Sequence, residues 1–529
     1  MRCWKTASVF DAKGMEDMDL KALREQIDEI DRQMVQLFDR RMRVAADVAA
    51  YKKENGLPIL DESRERVKLD AVAAMAEEDM AAYTRTLYVH LMALSRDYQQ
   101  KLMQISAADC QKEETSLRIG LIGGKLGHSY SPEIHALLGM TYPYELREVA
   151  SSEIGDFLKT NPYDGFNVTI PYKKDIIPYL CGMSDTARRL GSVNTVLRTP
   201  DGWWGDNTDY DGFSYMVRRT GYEVRGKKAV VIGSGGVAPT VCAVLEDLGA
   251  ATVTVLSHRE NTHQMRALHN DAKIVVNTSP VGMYPQNGES PIPADAFPSM
   301  ECALDLIYNP FETVFLADAR ERGCVTESGI SMLVAQAKRG AELFTGYPLE
   351  DALCDSVTAQ MIRSRRNLIL IGMPGCGKTT IGKRTAARLG REFVDLDDEI
   401  VKKAGKPISA IFAEDGEDAF RAMEHDVICE ICKRSSLVIA TGGGCVTRTA
   451  NYRPMAQNGV LLWLKRDIAA LPTNGRPLSQ AQSPAAIYEI RRPMYEACAD
   501  AVVENTDSVN DTVEAVLTVF SGISDRVRT

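Results

Sequence analysis

Gly372, Gly377, Lys378 and Thr379 fill the pattern G-x-x-x-x-G-K-[ST], directly after the apolar run 368–371 and directly before a helical sequence. That order is what a phosphate cradle needs. The glycines, Gly375 among them, turn backbone N–H groups onto phosphate oxygens, the lysine adds a mobile positive charge, and the threonine hydroxyl can ligate magnesium at a helix N-terminus that favours anions. A second glycine pattern, Gly233-Ser-Gly235-Gly236-Val-Ala238, follows a strand-like run and precedes a helix and the strand-like 252–256. It reads as a dinucleotide turn, G-x-G-x-x-A. The strand after it ends in Ser257-His258-Arg259, where an acidic residue would receive a free ribose hydroxyl. Arg259 therefore points to a 2′-phosphate and to NADP(H) over NAD, although Glu260 would repel that phosphate if it faced it.

These groups must be positioned by several folding units, because 529 residues exceed one core and suggest about three domains. Between 15 and 105 the apolar residues Ile30, Met34, Leu37 and Val44 recur at helical spacing, a stripe expected to face other helices. Arg41 interrupts that stripe and Lys52 lies about three turns on, nearly on the same face, so carboxylates or an anionic ligand must meet them. Arg24 points elsewhere on the helix by the same periodicity and can reach a partner chain. From 117 the pattern changes to short strands alternating with helices, which implies a parallel α/β sheet over 117–351, with 117–215 and 225–325 as its two halves. Pro239, just after the glycine turn, is tolerable only in the first turn of its helix. The cradle opens a last α/β unit over 364–529.

The helical unit resembles the all-helical chorismate mutases through Leu-Arg24-Glu-Gln-Ile, Asp-Arg40-Arg41, Lys52, Asp61-Glu-Ser-Arg64-Glu65-Arg, Ser95 and Gln99. The resemblance implies a three-helix unit that dimerises through its long helices. Arg41, Arg64 and a second subunit's Arg24 would bind the two carboxylates of chorismate. Lys52 and Gln99 would meet the ether oxygen as it gains charge, and Glu65 a substrate hydroxyl. A pericyclic rearrangement needs only a held conformation and well-placed cations. The same residues allow another reading, in which the unit senses chorismate or prephenate without turning it over.

Residues 117–351 resemble shikimate dehydrogenase. The carrying motifs are His128-Ser129-Tyr-Ser131-Pro, Asn167-Val-Thr169-Ile-Pro-Tyr-Lys173, Ser-Val-Asn194-Thr, Asp-Asn207-Thr-Asp209, Asn277-Thr-Ser-Pro, Asp-Leu-Ile-Tyr308-Asn-Pro and Met-Leu-Val-Ala-Gln336-Ala. By that resemblance Ser129, Ser131, Thr169, Asn194, Tyr308 and Gln336 line the substrate site for 3-dehydroshikimate and shikimate, and Lys173 with Asp209 is the catalytic pair. Taken singly, Lys173 reads as a solvated strand end and Asp209 as a turn residue. The final unit resembles shikimate kinase through Asp395-Leu-Asp397, Phe420-Arg421 and Gly442-Gly443-Gly444. There Asp397 would orient the shikimate hydroxyl, Arg421 and Arg491 its carboxylate, and the three glycines its ring hydroxyls. Thr379 and, through water, Asp395 would order Mg²⁺ beside ATP, and Arg476 would close a lid. Arg491-Arg492-Pro leaves two candidates for the clamp; the R-x-P-x-Y spacing of the family it resembles favours Arg491.

A net charge of −10 argues against a nucleic-acid surface, so anionic substrates need local basic pockets. Apolar content of 45% with 25% charged residues marks a globular chain, and no long apolar run suggests a membrane span. Twelve cysteines without a framework, and no secretory pattern at the start, fit a reducing cytoplasm. Cys429 and Cys432 form a lone C-x-x-C on a helical pattern, which reads as packing. The expectation is a multidomain enzyme: an all-α unit, then two α/β units, one with a Rossmann-type half.

Overall fold

The computed structural model describes residues 117–523 apart from 128, 472–482 and 507, together with some of the residues between 30 and 95. The chain divides into two compact units, 1–115 and 116–529. In the first, the described residues of 30–52, 67–72 and 81–95 are helical. Ala45, Val72 and Met92 are its described buried apolar side chains, and Ser95 is buried with them. Ile30, Met34, Leu37 and Val44 are instead exposed, by 56, 50, 64 and 56%. The stripe expected to face other helices is thus open in a single copy. Tyr51, seven residues beyond Val44 and so on the same face, is 62% exposed.

The second unit contains three sheets. In the first, β1 (Ile119–Gly123), β2 (Tyr144–Glu148), β3 (Gly165–Val168), β4 (Gly182–Met183), β5 (Thr195–Thr199) and β6 (Gly202–Asp206) lie in the order β2-β1-β3-β5-β6-β4. This sheet departs from the all-parallel expectation, because β5 runs antiparallel to both β3 and β6. Only Pro200 and Asp201 join β5 to β6, far short of the dozen or so residues a parallel crossover needs. Proline and aspartate suit such a turn, and Gly202 closes it at φ +129°.

The second sheet is wholly parallel, with β7 (Lys228–Ile232), β8 (Thr252–Leu256), β9 (Ile274–Asn277), β10 (Cys302–Asp305) and β11 (Val325–Ser328) in the order β11-β10-β9-β7-β8. The helix after its glycine turn runs Ala238–Asp247, so Pro239 is its second residue, where its missing N–H costs nothing. The third sheet is parallel as well: β12 (Asn367–Ile371), β13 (Glu392–Asp395), β14 (Leu437–Ala440), β15 (Gly459–Lys465) and β16 (Ala501–Glu504), ordered β13-β14-β12-β15-β16. Central β12 is buried throughout, as a strand covered by helices on both faces must be.

Residues 352–363, between the two expected α/β regions, form most of the helix Ala352–Arg365. Its Cys354, Val357, Met361 and Ile362 share a core with Ile134, Phe311, Ile330 and Val334. The helix therefore packs on the dehydrogenase-like part and delivers the chain straight into β12. Among the described residues no helix is long and apolar enough to cross a membrane.

Candidate active sites

Asp209 opens the helix Asp209–Arg219, where a carboxylate is favoured by the helix dipole. Its Oδ2 accepts from Lys173 Nζ at 2.6 Å and its Oδ1 from Asn194 Nδ2 at 3.0 Å. Asn194 in turn accepts the Thr208 N–H at 2.8 Å, and Asn207 Oδ1 accepts the Asp209 N–H at 3.1 Å. The turn that looked like a bare Asn-Thr-Asp is therefore a scaffold with one free function, to aim Asp209 at Lys173. Side-chain exposures of 25% for the lysine and 12% for the aspartate leave the pair on a cavity wall. That cavity holds about 530 Å³, and Ser129, Ser131, Thr169, Lys173, Asn194, Asp209, Tyr308 and Gln336 all line it. Every residue expected of this substrate site thus meets at one cavity. Val237, which precedes the helix after the glycine turn, also lines it. Residues of both the substrate and the dinucleotide halves therefore line the cavity.

Sequence reading passed over three groups here. Asn167 lines the cavity, and its amide is locked by the Tyr144 hydroxyl at 2.7 Å and by Thr195 Oγ1 at 2.9 Å. Lys125 adds a second cation to the lining. Asp305 sits below the Tyr308 loop, accepting from Asn277, Thr313 and the Ile307 N–H at 3.0, 2.6 and 3.1 Å. Burial pushes its carboxyl up to about 7 against those hydrogen bonds. Asn167 and Asp305 stood inside quoted motifs; no periodicity marked their roles.

The dinucleotide turn fits its guest. Gly233 takes φ +105°, and a Cβ there would meet the Ser279 nitrogen and Thr278 Oγ1 at 3.0 Å. A Cβ at Gly235 or Gly236 would meet open space, so those backbones are approachable. Ala238 begins the helix whose N-terminus faces a pyrophosphate in such turns. Arg259 is exposed at the end of β8. Glu260 turns back to accept the Ser257 N–H at 3.1 Å, and hydrogen bonds from Ser257 hold its carboxyl below the usual range.

In the third sheet the cradle follows β12. Gly372, Gly375 and Gly377 take φ of +144°, +83° and +101°, conformations that only glycine adopts cheaply. A Cβ at Gly372 would meet the Leu464 carbonyl at 2.5 Å. Lys378 curls back onto the loop, donating to the Gly372 and Met373 carbonyls at 2.8 and 3.0 Å. Thr379 Oγ1 donates to Asp395 Oδ2 at 2.7 Å, which sets a hydroxyl and a carboxylate side by side as a Mg²⁺ site requires. Two residues on, burial and the neighbouring Asp395 raise Asp397 from 3.8 to about 6.

Asp397 faces the glycine run: a Cβ at Gly442 would lie 2.8 Å from its Oδ1, and one at Gly444 would lie 2.4 Å from Arg421 NH2. Arg421 pairs with Glu424 at 2.8 Å and Glu417 at 3.3 Å. Glu424 was not foreseen; it is 1% exposed, its Oε1 has no hydrogen-bond partner among the described residues, and burial raises its carboxyl. Arg491 is 8% exposed and donates to the Gly443 carbonyl at 3.0 Å. Arg492 is half exposed and pairs with Glu489 at 3.7 Å. Burial thus separates the two arginines that spacing left adjacent.

In the helical unit Arg41 is half-buried and donates to the Leu91 carbonyl at 3.2 Å, and Lys52 is half-buried on the same helical pattern. Arg24, Arg64, Glu65, Gln99 and, in the kinase-like part, Arg476 lie outside the described residues.

Comparison with known proteins agrees with this division. Family models match for chorismate mutase type II over 23–100, the shikimate dehydrogenase substrate-binding domain over 121–196, and shikimate kinase over 374–521. The NADP(+) shikimate dehydrogenase of Clostridium perfringens is 31% identical over 264 residues, 46% of this chain and 97% of that protein. Its counterpart from Shouchella clausii is 35% identical over 258 residues, 43% of this chain and 93% of its own. A chorismate mutase/shikimate 5-dehydrogenase fusion from Clostridium acetobutylicum has a solved structure 36% identical to this chain. The match covers 46% of this chain and 96% of that one with a TM-score of 0.43.

Proposed function

The chain belongs to the shikimate dehydrogenase family, with chorismate mutase and shikimate kinase regions on either side, and from this premise we propose a trifunctional enzyme. It reduces 3-dehydroshikimate to shikimate with NADPH, phosphorylates shikimate with ATP and Mg²⁺, and rearranges chorismate to prephenate. The observation that carries this reading is the Lys173–Asp209 pair, 2.6 Å apart in a cavity shared by the substrate and dinucleotide halves.

NADPH held at the glycine turn would supply a hydride for the ketone carbon. Lys173 gives a proton to the oxygen that becomes an alkoxide, and Asp209, 2.6 Å away, aims its ammonium. Ser129, Ser131, Tyr308 and Gln336 hold the substrate's carboxylate and hydroxyls, while Arg259 receives the cofactor's 2′-phosphate. In the kinase region Asp397 accepts the proton of the attacking hydroxyl, and a carboxyl raised to about 6 is ionised yet basic enough at neutral pH. With ATP and Mg²⁺ bound, Lys378 would turn from its carbonyls to the phosphates, Thr379 and, through water, Asp395 would hold the metal, and Arg421 and Arg491 would clamp the shikimate carboxylate. Arg41, Lys52 and their partners serve chorismate.

The open stripe Ile30, Leu37, Val44 and Tyr51 supports a homodimer built on these helices, since four large apolar side chains at seven-residue spacing favour cover by a second copy. The described cysteines are free, which supports a reducing, cytoplasmic setting.

Rates of all three reactions in the intact chain and in K173M and K378M test the assignment. K173M should silence only NADPH oxidation and K378M only ADP formation; either variant silencing both, or neither, contradicts it. Prephenate formation no faster than the uncatalysed rate would leave the helical unit a chorismate sensor.

A further inference from the structure

The loop that carries Tyr308 is held from outside the dehydrogenase region. Phe311, three residues on, is 2% exposed and packs among Ile134, Val334 and Val357. Its backbone N–H donates to Asn458 Oδ1 at 3.1 Å in a buried contact. Asn458 ends the helix Tyr452–Asn458, which leads into β15 of the kinase region. Beside it the Glu312 N–H donates to the Gln457 carbonyl at 3.2 Å, and Gln457 Nε2 donates to the Asn287 carbonyl at 2.7 Å. The kinase region therefore supplies acceptors for two consecutive backbone donors of a dehydrogenase loop.

A second arm reaches the same cavity at Tyr130. The Arg365 guanidinium lies over the Tyr130 ring, 3.9 Å from its centroid, and pairs with Glu133. The Arg365 carbonyl accepts the Ser436 N–H, from the kinase region, at 2.7 Å. Tyr130 and Tyr308 both line the cavity, with ring centroids 5.2 Å apart. The two arms thus converge on one aromatic pair. Pro310 lies between Tyr308 and Phe311, and its fixed φ stiffens the link.

We propose that Asn458 and Arg365 are positioning residues for the dehydrogenase: through the Phe311 N–H and the Tyr130 ring they let the kinase region fix the Tyr130–Tyr308 wall that receives the substrate. The proposal rests on Tyr308 as a substrate contact. A buried N–H deprived of its acceptor must find water or move, and a move at Phe311 passes along a short stiff loop to the Tyr308 hydroxyl. Binding of shikimate then weakens, while the Lys173–Asp209 pair and the dinucleotide turn, on other elements, keep their geometry. The dehydrogenase site is in this sense completed by its neighbour's helix.

The test uses the full-length chain as N458A, N458D, R365M and Y308F, with NADP-dependent shikimate oxidation, kinase rate and thermal unfolding measured for each. N458A and R365M should raise the dehydrogenase KM for shikimate about 5- to 20-fold, leaving its kcat and its KM for NADP within about twofold. N458D, which keeps an acceptor for Phe311, should restore the wild-type KM to within about threefold. Y308F should raise the same KM. If Y308F does so while N458A and R365M do not, the proposal falls and Tyr308 keeps its role; if Y308F leaves KM unchanged, Tyr308 and the proposal fall together. An N458D chain as weak as N458A, or parallel loss of KM, kcat and cofactor affinity, also overturns it. Should N458A fail to fold, R365M decides alone: a folded R365M chain with wild-type KM rejects the proposal.

Discussion

Replacing Asp397 by asparagine should stabilise the protein at neutral pH while removing kinase activity. The Asp397 carboxyl rises from 3.8 to about 6, chiefly through burial and then through Asp395. A shift of about two units corresponds to about 3 kcal/mol of disfavour towards the ionised form, at 1.36 kcal/mol per unit. Asp397 is only partly buried, which lowers that figure. It also lies in the first turn of the helix Leu396–Ala404, where a negative charge gains about 0.3–1 kcal/mol that asparagine loses. A net gain of about 1–2 kcal/mol at pH 8 remains. The sign follows from linkage: the folded state binds the proton near pH 6 and the unfolded state only near 3.8, so wild-type stability rises as pH falls between them. Wild type should therefore close on D397N by about 1 kcal/mol between pH 7 and pH 5. Denaturant unfolding of both proteins at pH 5, 7 and 8 reads this difference. Kinase turnover of the wild type should fall as pH drops through 6, and D397N should lose about 10²- to 10⁴-fold at all pH values. A D397N chain less stable than wild type at pH 8, or a kinase profile flat from pH 5 to 7.5, refutes the reasoning.

Other outcomes follow from the same geometry. K173M should lower dehydrogenase kcat by about 10²- to 10⁴-fold with shikimate KM changed far less, as steady-state kinetics will tell. R491M should raise the kinase KM for shikimate by about 10- to 100-fold and R492M by less than about threefold, because the buried arginine faces the glycine loop while its neighbour faces solvent. G444A should weaken shikimate binding to the kinase, since the new methyl would sit 2.4 Å from the Arg421 guanidinium; unchanged kinase KM would contradict that packing. If the proposed homodimer forms through the open stripe, wild type should sediment as a dimer and L37D as a monomer with depressed prephenate formation, the other two rates being retained.

The cradle, the dinucleotide turn and the helix start at Pro239 were legible because each depends on residues adjacent in sequence. Local rules of glycine conformation and helix capping decide them. The cavity residues were legible only as motifs whose meeting depends on the fold; Ser129 and Gln336 are far apart in the chain and meet only at the cavity. What escaped depends on tertiary neighbours. Glu424 gives no sign of its burial until the helix Gly416–Ile431 packs beside the glycine loop. The antiparallel β5–β6 pair was foreseeable from Pro200-Asp201-Gly202, a turn signal outweighed by the alternation of strands and helices around it. The helix Ala352–Arg365 has little amphipathic contrast to mark its buried side, and its role emerges only from the core it shares with Phe311 and Ile134. The stripe at Ile30 to Val44 is legible as a covered face, but periodicity tells that a face is covered and not by which chain.

The most direct test of the central claim supplies the purified chain with 3-dehydroshikimate, NADPH, ATP and Mg²⁺ together and follows NADPH oxidation and ADP release in one vessel. ADP formation that begins only as shikimate accumulates, ending at one ADP for each NADPH oxidised, is the predicted result. NADPH oxidation with no ADP released, or ADP released while NADPH is withheld, would contradict it.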